Sequence, residues 1–413
     1  MVATVLYFKH NELASRFRVS LKTVHNWIDA AKEGKVNLQL HEHDGKTYIA
    51  NTSGNFIALQ YLAEKGKKYR NSLHQKVISP SEKFYSLYSQ RQTLDLITNL
   101  TTHHEIPRQY NYFDGGATNW DNWLKRLEKE ESSNLLKGTL ELIHNNIHNL
   151  DLLLKDYKYV NVIDIGVGNG RPVKEVLSRL LKQKKLHRYI AIDISRSMLD
   201  IAKSNIEKWF GKDVKFEGYI KDISFERFDD LLVEDMLSEK ADKTINLVLV
   251  LGATPVNFRI FSDPLKVVYG SMSDRDILVY TDKPDTESSR RYFDFNPKPG
   301  AGELSPNHRF ILDLMNIDSS LYNVEMGFDE QKRMRFVRIR LKAALSIHFK
   351  VNDGERIVEL EKGDTIMLLR VWHLSAVEVI SEFEKQGFTL LHSNLTPNRQ
   401  FLLTISGVDP KHS

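Results

Sequence analysis

Three glycines at two-residue steps, Gly166, Gly168 and Gly170, follow the acidic Asp164 at the close of an apolar run over residues 160–165. Here the backbone itself would meet a ligand, because a chain that turns sharply against a bound molecule has no room for a Cβ. Arg171 and Pro172 come next, and proline suits a first helical turn, so a helix is expected from about residue 172. A strand, a glycine turn and a helix in that order can cradle a nucleotide. One strand–helix–strand step later, residues 189–193 read as a second strand tipped by Asp193. A carboxylate there can accept hydrogen bonds from both hydroxyls of a ribose.

Proteins that bind NAD usually space these glycines as Gly-x-Gly-x-x-Gly. Strict two-residue steps behind an acidic residue instead resemble the S-adenosylmethionine (SAM) version of the loop. After Asp193, Ile194-Ser-Arg-Ser-Met-Leu-Asp-Ile-Ala202 resembles the helix start of SAM methyltransferases. A third alternating run, 214–220, leads to Lys221-Asp222-Ile223, and the same resemblance sets Asp222 against the adenine amino group. Runs at 245–251 and 277–280 supply a fourth and a fifth strand, with Gly252 just beyond the fourth. The fold class expected is α/β, a class I SAM-methyltransferase (Rossmann-like) core with a substrate-side insertion of helix and strand. SAM is the expected cofactor, held by Asp164, Gly166, Gly168, Gly170, Arg171, Asp193, Ile194, Asp222, Ile223 and Gly252.

Residues 160–408 further resemble one family, the histidine-specific Nα-methyltransferases of ergothioneine biosynthesis. The motifs are Asp164-Ile-Gly-Val-Gly-Asn-Gly-Arg171, Asp193-Ile-Ser195 and Leu251-Gly-Ala-Thr-Pro-Val-Asn-Phe258, with strand-like runs at 333–341 and 360–366 and a helical segment at 84–112. The resemblance implies that Asn257 holds the acceptor, and it points to Tyr292 and Tyr110 as the tyrosines that help. It departs at Leu368-Leu-Arg-Val371, where the family has Glu-x-Ser and this chain has neither carboxylate nor hydroxyl. Charge-assisted bonds worth about 1.5–3 kcal/mol each are lost there. The expected reaction is methyl transfer to N or O of a small, amino-acid-like molecule other than free histidine.

The N-terminus reads differently. Glu12-Leu-Ala-Ser-Arg-Phe-Arg-Val-Ser-Leu-Lys-Thr-Val-His-Asn-Trp-Ile28 suggests a helix over 8–17, a turn at Val19-Ser20, and a second helix capped by Ser20. Leu21, Val24, Trp27 and Ile28 would face inward, and Lys22, Thr23, His25 and Asn26 outward. Asp44-Gly45 marks a hairpin. The whole resembles winged helix-turn-helix modules of the excisionase and MerR type, whose second helix enters a DNA major groove. Residues 1–77 carry 12 Lys/Arg and 6 Asp/Glu, a balance of +6, while the whole chain carries +4, so the remainder is at −2. An anionic partner such as DNA would therefore meet this module.

The expected divisions are 1–77 for that module, 78–155 for a helical bridge, 156–282 for the SAM core, 283–350 for the insertion and 351–413 for the closing strands and helix. Apolar residues at near-heptad spacing over 135–154 suit either core packing or a homodimeric coiled coil. His144 and His148 stand four apart without an evident further ligand, so no metal is expected. The chain has no cysteine, which excludes thiolate metal sites and cysteine nucleophiles. Neither a signal pattern nor a run of roughly 20 apolar residues is present, and a cytoplasmic location is expected. Two other functions remain open: a nucleic-acid methyltransferase, and a DNA-binding regulator that senses SAM or a metabolite. Against base methylation, the Asn/Asp-Pro-Pro-aromatic motif is replaced by Gly252-Ala-Thr-Pro-Val-Asn257.

Overall fold

The computed structural model describes residues 7–73, 75–252, 254–287 and 303–409. The chain divides into two compact units, Met1–Val77 with Ala343–Ser346 and Leu360–Lys362, and the remainder. Among the described residues no helix is long and apolar enough to cross a membrane.

In the first unit β1 (Tyr7–Phe8) pairs antiparallel with β3 (Lys46–Ala50), which pairs with β2 (Leu40–His43). Asp44 and Gly45 join β2 to β3 with φ of 49° and 69°, the left-handed pair that a two-residue hairpin turn requires. Helices α1 (His10–Arg16) and α2 (Leu21–Lys32) are joined by a short turn, and the Ser20 hydroxyl accepts the Thr23 N–H at 3.1 Å as the cap of α2. Leu13, Val24, Trp27, Ile28 and Ile49 pack together with Leu59 of α3 (Ser53–Leu73). Two expectations are corrected. Phe8 belongs to β1, because its backbone pairs with Ile49. Leu21 is exposed, because the first helical residue projects off the turn before the buried stripe begins. Lys22, His25 and Asn26 are exposed and Thr23 is half-buried.

After β4 (Lys76–Ile78), helices α4 (Glu82–Leu87), α5 (Gln90–His103), α6 (Gly115–Lys129) and α7 (Leu135–Leu153) precede the main sheet. The chain breaks between α6 and α7 because Asn134 leaves the helix to cap it. Its side chain accepts from Lys137 N at 3.0 Å and donates to the Leu127 carbonyl at 2.8 Å. The sheet has seven strands. At its centre β5 (Tyr159–Ile165) lies parallel to both β6 (Leu186–Asp193) and β8 (Thr244–Val250). β7 (Phe216–Ile220) and β9 (Ile277–Asp282) extend it in parallel on either side. β16 (Leu402–Val408) and β15 (Phe388–Leu395) close one edge antiparallel.

Alternation along the strands sends side chains into two layers. Val160, Val162, Leu247 and Leu249 pack in one, with α7, α8 (Lys174–Lys182) and α9 (Arg196–Phe210). Ile163, Ile165, Val248 and Val250 pack in the other, with Leu265, Val379 and Phe383. Burial on both faces explains why these strands read as continuous apolar runs. Each such side chain contributes about 1.5–3 kcal/mol when fully buried. Much of the near-heptad stripe over 135–154 is used in packing here: Ile143, Leu150 and Leu154 lie in the sheet's core, with Leu135 and Ile147 against it.

A second, antiparallel sheet runs β10 (Tyr322–Asp329), β11 (Met334–Leu341), β14 (Thr365–Trp372), with β12 (Leu345–Val351) and β13 (Gly354–Leu360) between the last two in sequence. The strand expected over 360–366 is interrupted by a turn between Leu360, the end of β13, and Thr365, the start of β14. Gly363 adopts φ +93° and its N–H bonds the Leu341 carbonyl, so β14 starts only at Thr365.

Gly138 on α7 packs tightly on the buried Phe401 ring just before β16, since a Cβ there would lie 2.2 Å from it. Gly138→Val should therefore destabilise the protein by about 1–3 kcal/mol through overpacking. Denaturant unfolding with an unchanged midpoint would contradict this close contact.

Candidate active site

The C-terminal ends of β5, β6 and β8 open on one side of the sheet, where the strand order reverses direction and ligands bind in folds of this class. Gly166, Gly168 and Gly170 take φ of +66°, +55° and +74°. L-residues with a Cβ rarely hold such angles, least of all in succession. The loop is pinned by Gly166 N–H to the Ile192 carbonyl at 2.8 Å and Gly170 N–H to the Val167 carbonyl at 3.0 Å. A cavity of about 120 Å³ lies against it, lined by Gly166, Gly168, Asp193, Ile194, Asp222, Ile223, Gly252 and Asn257 among others.

Asp193 ends β6, two residues before Ser195, which caps α9. Its carboxylate accepts from the N–H of Ser195 at 3.0 Å and from the N–H groups of Gly168 and Ile194. Burial nevertheless outweighs these bonds and pushes the carboxyl up to about 7. Asp222 follows β7 and accepts from the Ser224 N–H at 2.9 Å and its hydroxyl at 2.5 Å. Burial raises its pKa too. Both carboxylates suit the acceptor role, one for ribose hydroxyls and one for an adenine amino group. The open space beside Gly252, φ +90°, leaves the backbone bare at the same wall.

Other residues of the glycine motif stand behind the cavity. Asp164 is buried and accepts from the Tyr189 hydroxyl at 3.1 Å; burial raises its carboxyl to about 7. Gly170 packs toward Ile206 and Trp209. Arg171 pairs with Glu128 at 2.8 Å and Glu175 at 3.2 Å. These three support the loop and α8 rather than face the cavity.

On the acceptor side, Asn257 ends the turn Thr254–Asn257. It lines both the first cavity and an adjoining one of about 550 Å³, which share Arg108, Trp120 and Gly252 as well. Tyr292 lies outside the described residues. Tyr110 points away from the cavity: its hydroxyl donates to Asp95 at 2.7 Å and its ring packs on Tyr88. Tyr112 lines the cavity in its place. The turn Arg108–Tyr112 is a 3-10 turn, in which positions three apart share a face. Gln109 and Tyr112 thus face the cavity together and Tyr110 turns inward. That periodicity is a sequence signal that Tyr112, not Tyr110, shares a face with Gln109. Arg108, Trp120, Met198 and Phe258 also line the cavity, and nothing in their local sequence singles them out.

The backbone at Tyr112 and Asp114 is tied to Ser195 and Ser197 through two hydroxyls. Ser195 Oγ donates to the Tyr112 carbonyl at 2.6 Å, and the Asp114 N–H donates to Ser197 Oγ at 3.2 Å.

Asp193 gives a direct test of the cofactor site. If ribose hydroxyls donate to its ionised form, binding favours loss of its proton. Affinity for S-adenosylhomocysteine (SAH) should fall as pH drops through about 7, and Asp193→Asn should weaken binding by about 1.5–3 kcal/mol at higher pH. Calorimetry showing wild-type affinity in the variant would remove the ribose assignment.

Residues 92–282 match the family described as histidine-specific methyltransferase, SAM-dependent. Curated protein sequences give no match. Among solved structures, the chain is similar to a SAM-dependent methyltransferase from Clostridium acetobutylicum at 11% identity, TM-score 0.39, covering 70% of this chain and 99% of that one. It is also similar to magnesium protoporphyrin IX methyltransferase from Synechocystis with bound SAH, at 10% identity, TM-score 0.37, covering 76% and 99%. A third is the 1,6-didemethyltoxoflavin-N1-methyltransferase of Burkholderia thailandensis, at 11% identity, TM-score 0.34, covering 74% and 91%. The family match spans the glycine loop, both carboxylates and Asn257, and the enzyme is a methyltransferase that uses SAM.

Proposed function

We propose that the enzyme methylates N or O of a small molecule that enters the larger cavity. The observation that carries this reading is the shared wall: Arg108, Trp120, Gly252 and Asn257 border both cavities, so an acceptor in one lies beside a cofactor in the other. SAM supplies an electrophilic methyl group on a sulfonium. What the chain must add is alignment, with the acceptor's lone pair in line with the breaking bond. The Asn257 amide, at the shared wall, can hold the acceptor through either its N–H or its carbonyl. A basic acceptor amine must be deprotonated first, so the rate would rise with pH over that amine's titration.

Free histidine is disfavoured as the acceptor. Leu369 and Val371 occupy the i, i+2 face of β14 that lines the larger cavity, at the place of the family's Glu-x-Ser. The wall that would grip an imidazole is aliphatic. Methyl-labelled SAM incubated with metabolite extract, DNA and RNA separates the alternatives. Label should enter a small-molecule fraction. Label in nucleic acid, or SAH binding without any transfer, would overturn the proposal. Asn257→Ala should lower kcat/KM by about 100-fold through misplacement of the acceptor.

We propose a second role for residues 1–77, contact with DNA. The surplus of basic residues and the exposed Lys22, His25 and Asn26 at the start of α2 support it. Affinity for duplex DNA should fall steeply with salt, and Lys22→Ala should reduce the log–log salt slope by about 1. Salt-independent or undetectable binding of the full chain would sink this role.

A further inference from the structure

The cofactor has an amino-acid end as well as a nucleoside, and that end bears a carboxylate. Asp193 and Asp222 border the smaller cavity, and like charge keeps a third carboxylate away from them. The carboxylate needs a cation. Arg171 of the glycine motif does not supply it, because it pairs with Glu128 and Glu175 behind the cavity. Among the described residues lining that cavity, the cationic side chains are Arg108 and Lys221. Lys221 is already paired: its ammonium donates to both oxygens of Asp230, at 2.9 and 3.0 Å, and to the Arg227 carbonyl at 2.9 Å.

Arg108 is placed differently. It lies half-buried in the turn before α6, at the wall shared with the larger cavity. Its hydrogen-bond partners are neutral. Nε donates to the Tyr112 hydroxyl at 2.7 Å. Nη1 lies 3.2 Å from Nε2 of His308, in the helix Pro306–Leu314. A guanidinium has only donors, so the imidazole must accept. Nδ1 of His308 then carries the proton and donates to Ser305 Oγ at 3.0 Å. Burial, then the nearby Arg108 and Arg335, lowers the imidazole to about 3, which keeps it neutral. The rings of Tyr112 and Trp120 lie 5.6 and 6.0 Å from the guanidinium carbon. The fork is therefore held in one orientation while no carboxylate of the described residues neutralises it. Two of its N–H donors are used, and the others remain for a ligand.

We infer that Arg108 receives the carboxylate of the cofactor's amino-acid end, and that this contact selects the whole cofactor over the bare nucleoside. A planar fork suits two parallel bonds to a carboxylate, where an ammonium would offer only a point charge. His308 and Tyr112 act as positioning residues, since they orient the fork without supplying a counter-charge. The counter-charge arrives with the ligand, so removing Arg108 costs affinity only for ligands that bring one.

The test is calorimetric titration of the full chain with SAH, with its decarboxylated analogue, which keeps the ammonium, and with 5′-methylthioadenosine, which lacks the amino-acid end altogether. The wild type should bind SAH at least about tenfold more tightly than decarboxylated SAH. Arg108→Gln should lose at least about tenfold in SAH affinity, while its affinities for decarboxylated SAH and methylthioadenosine change by less than about threefold. Retained methylthioadenosine binding also reports that the variant is folded. If Arg108→Gln does not fold, Arg108→Lys, which keeps a charge and loses the fork, should weaken SAH by at least about threefold and leave methylthioadenosine unchanged. Equal wild-type affinity for SAH and its decarboxylated analogue would overturn the inference. So would a variant that binds SAH like the wild type, or one that loses SAH and methylthioadenosine alike.

Discussion

Everything at this site depends on a backbone constraint: where β5 ends, the chain must pass through left-handed conformations at Gly166, Gly168 and Gly170. Only then can the loop bond the end of β6 through Gly166 and present its N–H groups to Asp193. The carboxylate is thus buried yet hydrogen-bonded, which balances desolvation against donors. A side chain at these glycines would strain the left-handed backbone that the loop requires.

The two adjoining cavities differ in electrostatic character. Carboxylates, Asp193 and Asp222, border the cofactor side. Guanidinium and ammonium groups gather on the other, around Arg335 and Lys283. Arg108 stands on the boundary, stacked within about 6 Å of the Tyr112 and Trp120 rings.

The cofactor half was legible in the sequence because its signals are local. Glycine spacing, an apolar strand and a terminal acid occur within a few residues of one another, and φ preferences act at that range. Asp164 and Arg171 share the motif but not the cavity, because a motif records proximity in sequence and not the direction of a side chain. The acceptor half was not legible. Arg108 meets His308 across 200 positions, and Arg335 arrives from a different sheet; only the folded topology brings them together. Smaller misreadings have the same source. The three-residue period of the turn puts Tyr112 rather than Tyr110 on the cavity face. The run at 360–366 has strand-like residues at both ends, and Gly363 between them bends it into a turn.

The pair of serines at the start of α9 has a wider consequence. Ser195 serves as the helix cap beside Asp193 and at the same time holds the carbonyl of Tyr112, and Ser197 holds the next amide but one. Cofactor floor and acceptor ceiling are therefore moored to the same half-turn of helix. A shift at the tip of β6 is thereby passed directly to the turn that carries Tyr112.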